Sequence, residues 1–202
     1  TFSSKQYFYK LNYQHIVNQY KGDKWEDISY KMLKEWVTYL EKKKELCNNF
    51  PEVYIQALSN LIISSSFLGE EKESEAIFNK ARDFFMSLPK KNMNEIVQRA
   101  FMDMLTAYTD IQLKALNPEK CIEAFIDMSN LKFSIICYMN MGLSYFLLGR
   151  YSEALSCINK IVNVKSDYRM DVQALAKLFI LILHYELRNL DLLPYLSKAS
   201  EH

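Results

Sequence analysis

Residues 138–166, YMNMGLSYFLLGRYSEALSCINKIVNVKS, constrain the fold more than any other stretch of the chain. They contain Y-x2-M-G-x2-Y, then G-x-Y-x2-A, then A-x3-I. Small residues at Gly142 and Ala154 let two helices approach closely. Tyr145 and Tyr151 are large enough to fill the groove beside them. Gly149 between the two runs supplies the left-handed residue that ends a helix. The spacing therefore predicts an antiparallel helical hairpin. One hairpin cannot cover both of its apolar faces, so the same pattern predicts stacked hairpins sharing one core.

The rest of the chain has the composition for this. Of 202 residues half are hydrophobic, while only 4 are Gly and 4 are Pro, too few turn formers for many short strands. The formal net charge of +1 gives no global attraction to nucleic acid or anionic membrane. The longest apolar run, around residues 179–183, is far too short to span a bilayer. No signal-peptide pattern is present. Cys47, Cys121, Cys137 and Cys157 are scattered without C-x2-C spacing, which predicts reduced, partly buried thiols in a reducing compartment.

Shifting the hairpin along the chain reveals a period. A shift of 40 places Tyr185 on Tyr145 and Asn189 on Gly149. Asn is the next best residue after Gly for a left-handed helix stop. A shift of 80 in the other direction places Gly69 on Gly149, with Ser74, Phe78 and Ala81 on Ala154, Ile158 and Ile161. Between them, Phe101, Met104, Leu105 and Tyr108 mark one helix face, and Pro118 suits the first turn of the next helix.

These signals are those of tetratricopeptide repeats (TPRs), with a unit of about 40 rather than the usual 34 residues. They predict an all-α, right-handed superhelical solenoid of about five TPR-like hairpins, at 4–48, 51–87, 93–129, 131–164 and 168–200. The first helices are expected near 4–20, 51–68, 93–114, 131–148 and 168–188. The second helices are expected near 26–48, 71–87, 118–129, 151–164 and 191–200. The whole of 1–202 reads as one solenoid domain. Its start at Thr1 rather than Met, and the uncovered Leu192, Leu193 and Tyr195, predict a piece of a longer chain, or an end that packs on another chain.

The segment YMNMGLSYFLLGRYSEALSCINKI followed by DVQALAKLFILILHYELRNLDLLPYL resembles uncharacterised TPR-containing proteins of Bacteroidota, over about residues 138–196. Across positions 1–130 the match is to helical repeats in general. The resemblance implies the fold and a bacterial origin, and it carries over no catalytic residue.

Superhelical sterics place certain first-helix residues on a concave face. In the second hairpin these are Gln56, Ser59, Ile63 and Phe67. In the third they are Arg99, Met102, Thr106 and Asp110, and in the fourth Ile136, Met139, Leu143 and Phe146. The result is a mixed groove, more apolar toward the C-terminal end, suited to an extended segment or a helix with apolar anchors. The competing reading is that these apolar residues pack against a further segment of the protein's own chain or against the adjacent hairpin. Of Gln56, Ser59, Arg99 and Met139, only Arg99 could hold a terminal carboxylate, which argues against a ligand of that type.

Other features read as structural. Lys5, Tyr7, Phe8, Tyr9, Lys10, Tyr13, Tyr20, Lys21 and Lys24 interleave charge with aromatics, as nucleic-acid binders do. Yet residues 1–50 hold 9 Lys against 6 acids, and Tyr filling a core with Lys stems outside explains them better. Lys42, Lys43 and Lys44 read as the solvated face of one long helix from Trp25 to Cys47. His15, His184 and His202 are isolated. No P-loop, G-x-S-x-G or G-x-G-x-x-G is present.

The expected function is therefore a non-catalytic, cytoplasmic scaffold or adaptor that binds a protein or peptide, with no cofactor. The alternative is the peptide-responsive sensor of a bacterial regulator whose output domain lies outside this chain. Self-association through the C-terminal hairpin is a further expectation.

Overall fold

The computed structural model describes residues 25–126, 128, 133–164 and 169–192. Every regular element among them is helical. In chain order they are α1 (Trp25–Lys42), α2 (Lys44–Asn49), α3 (Pro51–Phe67), α4 (Glu71–Ser87), α5 (Glu95–Lys114), α6 (Pro118–Ile126), α7 (Ile135–Leu147), α8 (Tyr151–Val162) and α9 (Met170–Glu186). Short 3-10 turns occupy Lys90–Asn92 and Leu190–Leu192. The expected helix at 4–20, the Lys- and Tyr-rich stretch around it, and most of the expected helix at 191–200 lie outside the described residues.

Local chemistry sets the helix starts. Pro51 and Pro118 occupy first positions, where a missing N–H costs nothing. The side chains of Asn94 and Ser134 accept hydrogen bonds from the N–H groups of Val97 and Cys137, at 3.0 and 3.2 Å.

One closure recurs at the helix ends. Gly69, Leu116, Gly149 and Arg188 all adopt positive φ, between 58 and 74°. After each, the next N–H returns to a carbonyl five residues back: Glu70 to Ser65, Asn117 to Gln112, Arg150 to Tyr145 and Asn189 to His184, at 2.8–3.0 Å. This is the Schellman arrangement. The left-handed residue of the last closure is Arg188, where the 40-residue shift predicted Asn189. Asn189 instead turns its side-chain nitrogen to His184 Nδ1, 3.2 Å away. Positions 69, 116, 149 and 188 are unevenly spaced, so this closure recurs without a fixed 40-residue interval.

The long helix expected from Trp25 to Cys47 is broken at Lys43, whose φ and ψ are −116 and 68°. The break lets α2 fold back and bury Cys47, whose Sγ–H donates to the Leu40 carbonyl at 3.3 Å. The lysine run therefore sits at a bend, with the Lys43 ammonium 5.1 Å from the centre of the Tyr39 ring.

The chain divides into two compact units, with the boundary between Tyr108 and Thr109, inside α5. In the first unit α3 packs on α1, α2 and α4. Its core includes Trp36, Leu40, Ile55, Leu58, Ile62, Phe78, Phe85 and Phe101. Two parallel ring stacks join α4 to the first part of α5: Phe78 on Tyr108 and Phe85 on Phe101, with centroids 3.9 and 4.1 Å apart.

In the second unit α7 packs on α6, α8 and α9. Its core gathers Ile135, Ala154, Ile158, Ile161, Val172, Ala176, Phe179 and Leu183. Ala154, Ile158 and Ile161 are fully buried, as are Ser74 and Ala81 at the matching positions of the earlier hairpin. Gly142 is required here. A Cβ at that position would lie 2.5 Å from Ile158 Cδ1 and 2.9 Å from Cγ1. The small residues of the opening motif thus set the α7–α8 distance. Asn140, on the same helix, donates to Thr109 Oγ1 at 3.0 Å and so ties α7 to the end of α5.

Candidate functional site

The candidate surface begins on α3. Gln56, Ser59, Ile63 and Phe67 recur at three and four residues along it. Ser59 is only 2 % exposed, so it belongs to the helix packing and cannot face a ligand. Gln56 Nε2 reaches Asn60 Oδ1 at 3.4 Å. Ile63 is half-buried, and Phe67 at the end of the helix is 54 % exposed.

On α5 the picture is also mixed. Met102 is 8 % exposed and belongs to the core rather than to a groove. Thr106 is half-buried and donates to the Met102 carbonyl at 2.8 Å. Arg99 is exposed. Asp110, which lies in the second unit, is exposed and paired with Lys114 at 2.7 Å.

On α7 the structure brings Ile136, Met139 and Phe146 together, but against the unit's own core. Phe146 meets Phe179 of α9 edge-on, with centroids 5.2 Å apart, and leans on Tyr151 at 5.5 Å. The competing reading, packing on the adjacent hairpin, therefore describes Phe146 better than an open groove does. Leu143, at 36 %, is the most exposed of the four, and Leu147 one turn later is half exposed.

Two polar clamps were not legible in the sequence. In the first, Tyr30 and Lys34 of α1 close on Glu73 of α4. The Tyr30 hydroxyl donates to Glu73 Oε2, and Lys34 Nζ lies 2.9 Å from Glu73 Oε1. Burial tends to raise the Glu73 carboxyl, but the hydrogen bonds from Tyr30 and Lys34 outweigh it and hold it below its ordinary value. Burial, then the bond to Glu73, pushes the Tyr30 phenol up. In the second clamp Glu41 accepts from the Tyr54 hydroxyl at 2.9 Å and from Lys80 at 2.8 Å. Each carboxylate thus receives one phenol and one ammonium. The only local signal was the i,i+4 spacing of Tyr30 and Lys34. Their acceptor sits on a different hairpin, beyond the reach of any local periodicity.

The four cysteines are free and buried. Burial, then the nearby Glu41 carboxylate, pushes the Cys47 thiol up to about 11. Burial likewise pushes Cys121 up to about 11, against a hydrogen bond from Ser144. Such thiols are poor nucleophiles at neutral pH. Among the described residues no group of three or more His, Cys, Asp or Glu is placed to hold a metal ion, and no helix is long and apolar enough to cross a membrane.

Comparison with family models, with curated proteins and with solved structures finds no match to the chain.

Proposed function

We propose that the chain is a helical-repeat scaffold of the TPR kind, which binds a segment of another protein through apolar side chains on its first helices and performs no chemistry itself. The observation that carries this reading is the exposure of Phe67 and Leu143. Phe67 of the first unit is 54 % exposed and Leu143 of the second is 36 % exposed, each at a position that the sequence pattern assigns to an inner face. Apolar anchors of this kind supply affinity by burying side chains of the ligand. The recurring helix closure and the Gly142 contact support a TPR-like hairpin as the building block. Four buried, free cysteines fit a reducing compartment such as the cytoplasm. The resemblance of residues 138–196 fits a bacterial source.

Affinity capture from the source cell, with the parent protein beside Leu143→Asp and Phe67→Asp, tests the proposal. Both variants should keep the parent's helicity and lose the proteins that the parent retains. Recovery of the same proteins by both variants would sink the groove reading. Phe146→Asp is the wrong probe, because it would place a charge against Phe179.

A further inference from the structure

The last described helix carries two apolar stripes, and only one of them is covered. Val172, Ala176, Phe179 and Leu183 are buried in the unit's core. Leu175, Leu178, Ile182 and Tyr185 form the second stripe and are between 48 and 62 % exposed. Their spacing of three, four and three residues is that of a helix–helix seam. By contrast α3 buries both of its stripes, one through Tyr54, Leu58 and Leu61 and the other through Ile55, Ser59 and Ile62. No charged residue falls on the α9 stripe between Leu175 and Tyr185.

Its two ends are charged, and oppositely. Asp171 continues the stripe four residues before Leu175, and Arg188 stands just past the end of α9, in its left-handed closure. Both are exposed. Asp171 already takes hydrogen bonds from Arg169 at 2.8 and 2.9 Å, and a carboxylate retains lone pairs beyond these.

We propose that this stripe is a dimer seam, in which two copies of the chain pair through α9 in an antiparallel, two-fold arrangement. Parallel pairing would set Asp171 on Asp171 and Arg188 on Arg188. Antiparallel pairing about a two-fold axis beside residue 180 sets Leu178 against Ile182, Leu175 against Tyr185, and Asp171 near Arg188, each contact occurring twice. The stripe is thus complementary to itself in shape and charge. From Asp171 to Tyr185 the helical seam is roughly 21 Å long, enough for four layers of apolar contact.

Sedimentation velocity or light scattering of the full chain over a wide concentration range is the test. The parent should pass from monomer to dimer. Leu178→Glu with Ile182→Glu should weaken the dimer at least tenfold at unchanged helicity. The charge reversals Asp171→Lys and Arg188→Asp should each weaken it, and the double reversal should recover most of the loss, which a merely destabilised helix would not do. A parent that is monomeric at every concentration overturns the proposal and leaves the stripe to residues 193–202 or to a different protein. A dimer indifferent to the paired glutamates overturns it as well. A dimer sensitive to the glutamates but without charge rescue overturns the antiparallel register.

Discussion

Leu116 and Arg188 hold backbone angles natural to glycine, with φ of 58 and 61°. For an ordinary L-residue that region costs about 1–2 kcal/mol, because Cβ crowds the following carbonyl. Leu116 is 74 % exposed, so little packing offsets the cost. Replacing it with Gly relieves the backbone but frees the unfolded chain, leaving a net gain of about 0.5–1 kcal/mol. Leu116→Gly should therefore raise the melting temperature, and Gly149→Ala should lower it; a drop for Leu116→Gly in a thermal melt would refute the assignment of strain. Gly142→Ala is a different experiment at the same scale. Helix propensity favours Ala by about 1 kcal/mol, but the new Cβ drives into the fully buried Ile158, and overpacking costs about 1–3 kcal/mol. We expect a net loss, and a coupling on the order of 1 kcal/mol with Ile158→Val, which removes the closest atom. Additive effects in chemical denaturation would show that the two residues do not compete for space. Gly142, Ala154 and Gly149 were legible in the sequence because their smallness has one local reason each. Leu116 and Arg188 were not, because nothing about a leucine or an arginine announces a left-handed turn. Their neighbours impose it.

At the scale of the helices, seven of the nine described elements fall where periodicity and prolines placed them, with ends shifted by a few residues. The exceptions are the pieces α1 and α2, read as a single helix. Lys43 is a good helix former, yet the chain bends there and Cys47 is buried with its thiol on the Leu40 carbonyl. Tertiary packing overrides local propensity at that point. The Glu73 clamp holds α1 to α4 and has a pH signature. Because the folded carboxyl is held below its ordinary value, its contribution is full above that value and is lost as the pH falls through the folded one. Lys34 is more than half exposed, so after solvent screening the clamp contributes no more than about 1 kcal/mol. Glu73→Gln should thus cost up to about 1 kcal/mol at neutral pH and progressively less at a pH low enough to protonate the folded carboxyl. An equal loss at neutral and at low pH in urea denaturation would mean that the clamp stabilises by packing rather than by charge.

At the scale of the whole molecule, each unit carries its own core and its own thiol reporter. Cys47 lies in the first unit, and Cys121, Cys137 and Cys157 lie in the second. The candidate surface was only half legible at this scale. The sequence pattern located the helices that carry the candidate residues, but which of those residues are exposed depends on the neighbouring helix. Phe146 is taken by Phe179 of α9, and Met102 is drawn into the core around α5. Burial also makes the cysteines a measure of opening. With thiols raised as Cys47 and Cys121 are, the native protein should react with iodoacetamide at pH 8 far more slowly than a small thiol, at a rate set by how often each core opens. Gly142→Ala strains the α7–α8 contact, so it should speed the labelling of Cys157, which lies one residue before Ile158. Glu73→Gln loosens α1 on α4 and should speed the labelling of Cys47, which rests on α1 through Leu40. Mass spectrometry of timed samples resolves the sites separately. Labelling of the parent at the rate of a free thiol would contradict the burial of these residues. Acceleration of Cys47 and Cys157 by the same factor in both variants would show that the two cores open as one.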